Sequence, residues 1–249
     1  MSISIHEVSK SFGPTLAIDE VSFDFAENSF VSIVGPSGCG KSTLLRMVAG
    51  LVRPSRGAIT VRDQPVAGPL RDIGMVFQSP VLLPWRTTLG NILFVVEMGG
   101  LRAAEHRARA IQLMELAGLA GFENSYPHEL SGGMQQRASI CRAMLLQPSL
   151  ILMDEPFGAL DVITRERMGF ALQTLWNESR STVLFVTHSI SEAVLLSDTV
   201  VVMTSRPGRI RDIVPIDLPR PRSSETLRHL RFLELSSRVR DGIESLWME

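Results

Sequence analysis

The nine residues Gly35-Pro36-Ser37-Gly38-Cys39-Gly40-Lys41-Ser42-Thr43 form a turn suited to holding a chain of phosphates. Glycines let the backbone curl so that successive N–H groups point inward with no Cβ in the way. A helix beginning near Lys41 adds the positive end of its dipole. Lys41 can then reach the β- and γ-phosphates, and the Ser42 hydroxyl is placed to ligate Mg²⁺. The plainer reading is a Gly/Ser loop with a stray lysine. Against it, every fixed position of the P-loop pattern matches, with an apolar strand before the turn and a helix after it.

Other residues have types and positions that suit the same chemistry. Asp154 and Glu155 close the apolar run Leu150-Ile151-Leu152-Met153 and project at a sheet edge. Asp154 suits Mg²⁺ through water, and Glu155 can accept a proton from an attacking water. An acidic turn before Pro156 is the alternative, and the upstream P-loop argues against it. Gln78 follows the apolar run Ile73 to Phe77, at a strand's C-terminal end, where open α/β sheets place their ligands. It can touch Mg²⁺ or the attacking water, or be ordinary loop polarity. His188, after the run Thr182 to Thr187, can donate to a γ-phosphate or serve structure. Phe12, beside Gly13-Pro14, can stack on an adenine ring or simply pack. Ser131 is a natural N-cap, and Gly132 and Gly133 leave a second helix start bare enough to approach an anion.

The elements that must hold these groups follow from periodicity. Ile3 and Ile5, then Val21, Phe23 and Phe25, alternate with polar residues and predict half-buried antiparallel strands, with Ser9 to Pro14 as a turn between them. Phe30, Val31, Ile33 and Val34 predict the strand before the P-loop, and Leu44, Leu45, Met47 and Val48 the helix after it, with Gly50 as its C-cap. A short strand over Ala58 to Val61 follows the turn Arg53 to Gly57. From Ser79 to about Leu130 the character changes: a Pro- and Trp-containing connection leads into helical spacing at Ala110, Leu113, Met114 and Ala117, stopped by Gly118. The helix that Ser131 would cap carries Ala138, Ile140, Ala143, Met144 and Leu145. Leu150 to Met153, Thr182 to Thr187 and Val200 to Met203 predict buried strands. Arg206-Pro207-Gly208-Arg209 fits a type II turn. Leu227, Leu230, Leu233 and Leu235 predict a surface helix with a solvated basic side.

Composition bounds the rest. A chain of 249 residues can bury a sizeable core as one large domain or a core with a subdomain. A net charge of −1 implies no general affinity for nucleic acid. Cys39 and Cys141 suggest neither a disulfide framework nor a metal site, which fits a reducing compartment. No apolar run reaches the length of a membrane span, and the N-terminus lacks a leader pattern, so a soluble, cytoplasmic chain is expected, with a peripheral membrane partner left open.

Taken in order, the P-loop, Gln78, Leu130-Ser131-Gly132-Gly133, Asp154-Glu155, Ala159-Leu160-Asp161 and His188 resemble the ATP-binding subunit of ABC transporters, to about residue 210. The Leu-Ser-Gly-Gly signature is the deciding part. The resemblance implies an α/β fold: a P-loop NTPase core sheet with an N-terminal antiparallel β subdomain and an inserted α-helical subdomain. Residues 1–249 would be one ABC ATPase domain, with core and β subdomain in 1–78 and 146–210, helical subdomain in 79–145 and a C-terminal extension in 211–249. It implies ATP and Mg²⁺ as cofactors, with Gly35, Ser37, Gly38, Cys39, Gly40, Lys41, Ser42 and Thr43 around the phosphates and Ser42, Gln78 and Asp154 toward the metal. Two cassettes would pair head to tail, so that Ser131, Gly132 and Gly133 bind the γ-phosphate of the partner's nucleotide. Phe12 becomes the adenine-stacking residue, Gln78 the Q-loop, Glu155 the catalytic base, Asp161 the D-loop aspartate and His188 the switch. Phe12 stands where the family commonly has Tyr, and Met134 where it often has Gln.

Leu83-Pro84-Trp85-Arg86-Thr87-Thr88 and Ser205-Arg206-Pro207-Gly208-Arg209-Ile210 resemble the nitrate/sulfonate/taurine importer group, which includes bicarbonate and pyrimidine-precursor carriers. That resemblance implies an integral membrane permease docking near residues 80–90, an extracytoplasmic solute-binding protein and a peripheral position on the cytoplasmic face of the inner membrane. The solute would be small and anionic or zwitterionic, or a pyrimidine or thiamine precursor. Three rivals stand beside it. A soluble ABC ATPase acting on nucleic acid or ribosomes would carry tandem cassettes or a long coiled-coil insertion, and a P-loop kinase or GTPase would need a phosphoacceptor site or guanine-reading motif. A silent regulatory module would not need Glu155 and His188.

Overall fold

The computed structural model describes residues 2–179 and 181–244. In chain order the first elements are β1 (Ser2–Phe12), β2 (Thr15–Ala26), β3 (Phe30–Val34), α1 (Lys41–Val48), β4 (Arg56–Val61), β5 (Gln64–Pro65) and β6 (Ile73–Val76). Helices α2 (Thr88–Met98), α3 (Ala103–Leu116) and α4 (Gly132–Met144) lead to β7 (Leu150–Asp154). The remainder is α5 (Val162–Ser179), β8 (Thr182–Val186), α6 (Ile190–Leu196), β9 (Thr199–Met203), β10 (Ile210–Pro215) and α7 (Leu230–Glu244).

These elements form two compact units, one from residues 2–71 and 181–244 and the other from 72–179. In the first unit β3 lies between β8 and β9, parallel to both, and β10 runs antiparallel on the outer side of β9. Every residue of β3 and β8 is buried, as central parallel strands covered on both faces require. A second sheet in the same unit, ordered β2-β1-β4-β5, is antiparallel throughout. The second unit pairs β6 with β7 in parallel, packs α4 on β6, and packs α2 and α3 on α4 and on each other.

Three local expectations are corrected. Ser9 to Phe12 is strand, and only Gly13-Pro14 turns the chain into β2. The alternation breaks because β1 shifts register between Ile5 and Val8, where Glu7 has φ +47, so the buried positions run Ile3, Ile5, Val8. A bulge of this kind moves later residues to the other face and hides a strand from a period-two reading. Arg206 to Arg209 is not a type II turn, because Gly208, at its third position, has no positive φ. Helix α7 forms, but its buried face is Phe232, Leu235 and Val239, while Leu230 and Leu233 are 75% and 52% exposed. The helix packs on α6, β9 and β10, and that docking selects the face.

Candidate nucleotide site

In the first unit the P-loop leaves β3 and enters α1 at Gly40. Gly38 and Gly40 have φ +75 and +98, values that only glycine adopts without cost. A Cβ on Gly40 would also lie 2.7 Å from Ile18 Cγ1, so β2 braces the loop from below. No side chain caps the first turn of α1 and no acidic residue lies in it, which keeps the electropositive helix start open to an anion. Lys41 is 5% exposed, and its Nζ donates to the carbonyls of Gly35 at 2.8 Å and Pro36 at 2.9 Å. The loop's carbonyl side is thereby held by the lysine that the chemistry needs. Cys39 is buried beside it, with its thiol pushed up by desolvation and pulled back in part by Lys41. Ser42 and Thr43 are half-buried in the first turn.

Phe12 ends β1 and is 51% exposed, with Lys10 Nζ 5.0 Å from its ring centroid. His188 follows β8 at an exposed position. The turn behind it is tied by its own residues: Thr187 Oγ1 donates to Glu192 at 2.6 Å, Ser189 N donates to Thr187 Oγ1 at 3.0 Å, and Glu192 N donates to Ser189 Oγ at 3.3 Å. Sequence reasoning passed over Glu192, although Ser189-Ile190-Ser191-Glu192 is a legible capping-box pattern.

In the second unit β7 delivers Asp154, 2% exposed, and Glu155 directly after it. Glu155 has φ +46, a left-handed conformation that costs any residue but glycine free energy. Gln78, after β6, donates from Nε2 to Glu155 Oε2 at 3.1 Å, so the parallel strand pair brings the predicted Q-loop and the predicted base together. Ser131 caps α4, accepting from Met134 N at 3.3 Å. Gly132 faces open space, whereas a Cβ on Gly133 would come 2.9 Å from Leu160 Cδ2, next to Asp161. Asp161 accepts from Thr164 N at 3.0 Å at the start of α5, and the hydrogen bonds from Thr164 hold its carboxyl below the usual carboxylate range.

The residues that position this unit's groups were mostly silent in the sequence. Gln136, fully buried on α4, donates to Phe77 O at 2.8 Å, tying the signature helix to the residue before Gln78. Arg137 reaches from α4 to the carbonyls of Ala117 and Gly118, where α3 ends. Asn91, 0% exposed, accepts from Leu83 N at 2.7 Å and donates to Leu83 O, Arg86 O and Thr87 O at 3.1, 3.0 and 3.1 Å. It locks residues 83–87 into one shape and leaves Trp85 exposed at their tip. Among the described residues no group of three or more His, Cys, Asp or Glu could hold a metal, and no helix is long and apolar enough to cross a membrane.

A phosphate-binding loop between a buried parallel strand and a helix, with a carboxylate pair ending a second buried strand, defines a P-loop ATPase. The relatives narrow the class. Residues 18–158 match the family described as ABC transporter, and the chain belongs to that family. It is 46% identical over 216 residues to a taurine import ATP-binding protein of Rhizobium johnstonii, covering 86% of this chain and 82% of that protein. It is 40% identical over 237 residues to an aliphatic sulfonates import ATP-binding protein of Bacillus cereus, covering 93% of each. Among solved structures, a dimeric ATP-binding cassette in a post-hydrolysis state bound to ADP and Pi superposes with TM-score 0.77 at 32% identity, covering 87% of this chain and all of that one. The ABC ATPase fold and ATPase activity expected from the motifs are thus established by kinship.

Proposed function

We propose that this ATPase energises import of a small anionic or zwitterionic solute, of the taurine and aliphatic sulfonate class, through a separate integral membrane permease. The observation that carries the reading is the 40–46% identity to two sulfonate-type import subunits over most of their length. The chain would sit on the cytoplasmic face of the inner membrane and receive solute indirectly from an extracytoplasmic binding protein. The exposed Trp85, on a loop fixed by Asn91, supports residues 80–90 as the surface that meets the permease.

In this reading ATP binds through the P-loop, with Lys41 turning from the Gly35 and Pro36 carbonyls toward the β- and γ-phosphates. Phe12 offers its exposed ring to the adenine. Ser42, Asp154 and Gln78 offer the oxygens that would hold Mg²⁺, an ion that takes few protein oxygens and keeps water and phosphate for the rest. When bound, the metal supplies charge neutralisation on the phosphates. Glu155, held by Gln78, orients and deprotonates the attacking water, and His188 donates toward the γ-phosphate. Ser131, Gly132 and Gly133 bind the γ-phosphate of a second copy's nucleotide, with Asp161 beside them.

The test is to express tagged Glu155→Gln in cells, trap it with ATP and identify what co-purifies from detergent-solubilised membranes. A multi-span permease and a solute-binding protein that takes up taurine or an alkanesulfonate are expected. Recovery of this chain alone, as an ATP-dependent soluble dimer, refutes the transport reading.

A further inference from the structure

In the sequence, Ser205-Arg206-Pro207-Gly208-Arg209 is a turn and a likeness to one group of importers, with no chemical role of its own. In the structure it lies against the P-loop. Thr204 closes its neck: Thr204 N donates to Arg209 O at 2.9 Å, Arg209 N donates to Thr204 Oγ1 at 2.9 Å, and Thr204 Oγ1 donates to Pro207 O at 3.1 Å. Its far side is sewn to β2, with Gly208 N donating to Ala17 O and Asp19 N donating to Gly208 O, both at 3.0 Å. The Arg209 guanidinium grips the Asp19 carboxylate through two nitrogens. Gly208 approaches the P-loop so closely that a Cβ would fall 2.0 Å from Cys39 O. This contact, and not a left-handed φ, is why a glycine stands there.

Arg206 completes the clasp. Its Nε donates to Gly38 O at 2.9 Å, and its Nη2 lies 3.3 Å from the position a Cβ on Gly38 would take. The Gly38 carbonyl and the Cys39 N–H belong to one planar peptide. That peptide is pinned at both ends, because Cys39 N donates to Pro36 O at 3.4 Å. The next residues, Gly40 and Lys41, open α1, whose first N–H groups are those a helix start offers to an anion. A loop of glycines is floppy by composition, and ordering it on binding costs affinity.

We propose that Arg206 is a positioning residue for nucleotide binding: through Gly38 O it presets the P-loop backbone, and its guanidinium adds positive charge beside the phosphate cradle. The proposal rests on the P-loop being the nucleotide site. Because Arg206 acts on the cradle and not on the reacting atoms, ATP and ADP lose affinity together while turnover at saturation is kept.

The experiment titrates the purified full chain with fluorescent ATP and ADP analogues and measures ATPase rate at saturating ATP, for the parent, Arg206→Ala, Arg206→Lys and Lys41→Ala. Arg206→Ala should raise Kd for both nucleotides about three- to tenfold, the weight of one exposed charge-assisted hydrogen bond, with kcat within about twofold. Arg206→Lys, which keeps the charge and a donor, should recover most of the loss. Should Arg206→Ala not fold, Arg206→Gln gives the same comparison. Unchanged Kd in Arg206→Ala, while Lys41→Ala binds more weakly, overturns this inference alone. A fall in kcat with unchanged Kd overturns it as well. Unchanged affinity in Lys41→Ala removes the P-loop reading and the inference with it.

Discussion

Glu155→Gln should bind ATP as the parent does and release phosphate about 10²–10⁴ times more slowly, the usual weight of a positioned general base. That is roughly 3–5 kcal/mol on the barrier at about 1.4 kcal/mol per tenfold. The structure explains why the two effects separate. Gln78 Nε2 donates to Glu155 Oε2 at 3.1 Å, and a glutamine there still offers an oxygen, so the local geometry survives and only the negative charge goes. The backbone supplies a second, independent check. Glu155 sits at φ +46, which costs a side-chain-bearing residue roughly 1–2 kcal/mol relative to the right-handed form. Glycine removes that cost but brings about 0.5–1 kcal/mol of extra chain entropy to lose. Glu155→Gly, which also gives up the exposed Gln78 hydrogen bond at about 0.5–1.5 kcal/mol, should therefore be as inactive as Glu155→Gln yet melt within about 2–4 °C of the parent. Phosphate release by a colorimetric assay, nucleotide titration and thermal melts read all three quantities. Near-parental phosphate release from Glu155→Gln would refute the base assignment. A Glu155→Gly chain melting well below the parent would refute the claim that the left-handed conformation at Glu155 is strained.

Asn91→Ala takes the side-chain partner from Leu83 N and Arg86 O, while Leu83 O keeps Arg86 N and Thr87 O keeps the backbone N–H of residue 91, and should destabilise the second unit by about 1–3 kcal/mol in urea unfolding. It should also weaken capture of the permease, while Trp85→Ala should weaken capture at unchanged stability. The Asp161 carboxyl titrates below its unfolded value of 3.8, so its helix-capping contribution is complete above that value and lost as pH falls through the lower, folded one. Asp161→Asn keeps an acceptor but does not titrate. The melting-temperature gap between parent and Asp161→Asn should therefore close as the solution is acidified through that window.

What could be read in the chain was what the chain encodes over a few consecutive residues. The P-loop needs a strand, glycines at set positions and a helix, all contiguous, and each appears where expected between β3 and α1. The same holds for Ser131 as cap of α4, for the buried run of β7, and for Ala110, Leu113, Met114 and Ala117 as one buried face ended by Gly118 at φ +64. Periodicity failed where a bulge reset it, in β1, and where docking chose among possible faces, in α7.

Residue types alone nominated Gln78 and Glu155, but 77 residues separate them, and only the pairing of β6 with β7 makes them partners. Nothing local in the sequence announces that the side chains of Gln136 and Asn91 will be buried against another segment's carbonyl. Arg206 is the extreme case: it meets Gly38 across 168 residues, through a turn whose Pro-Gly pair suggested a different geometry. The sequence by itself determined the types, and the order along the chain, of the groups proposed to hold a triphosphate. Tertiary structure decided which side chains hold those atoms still, because hydrogen bonds between distant segments exist only once the sheets and helices have brought the segments together.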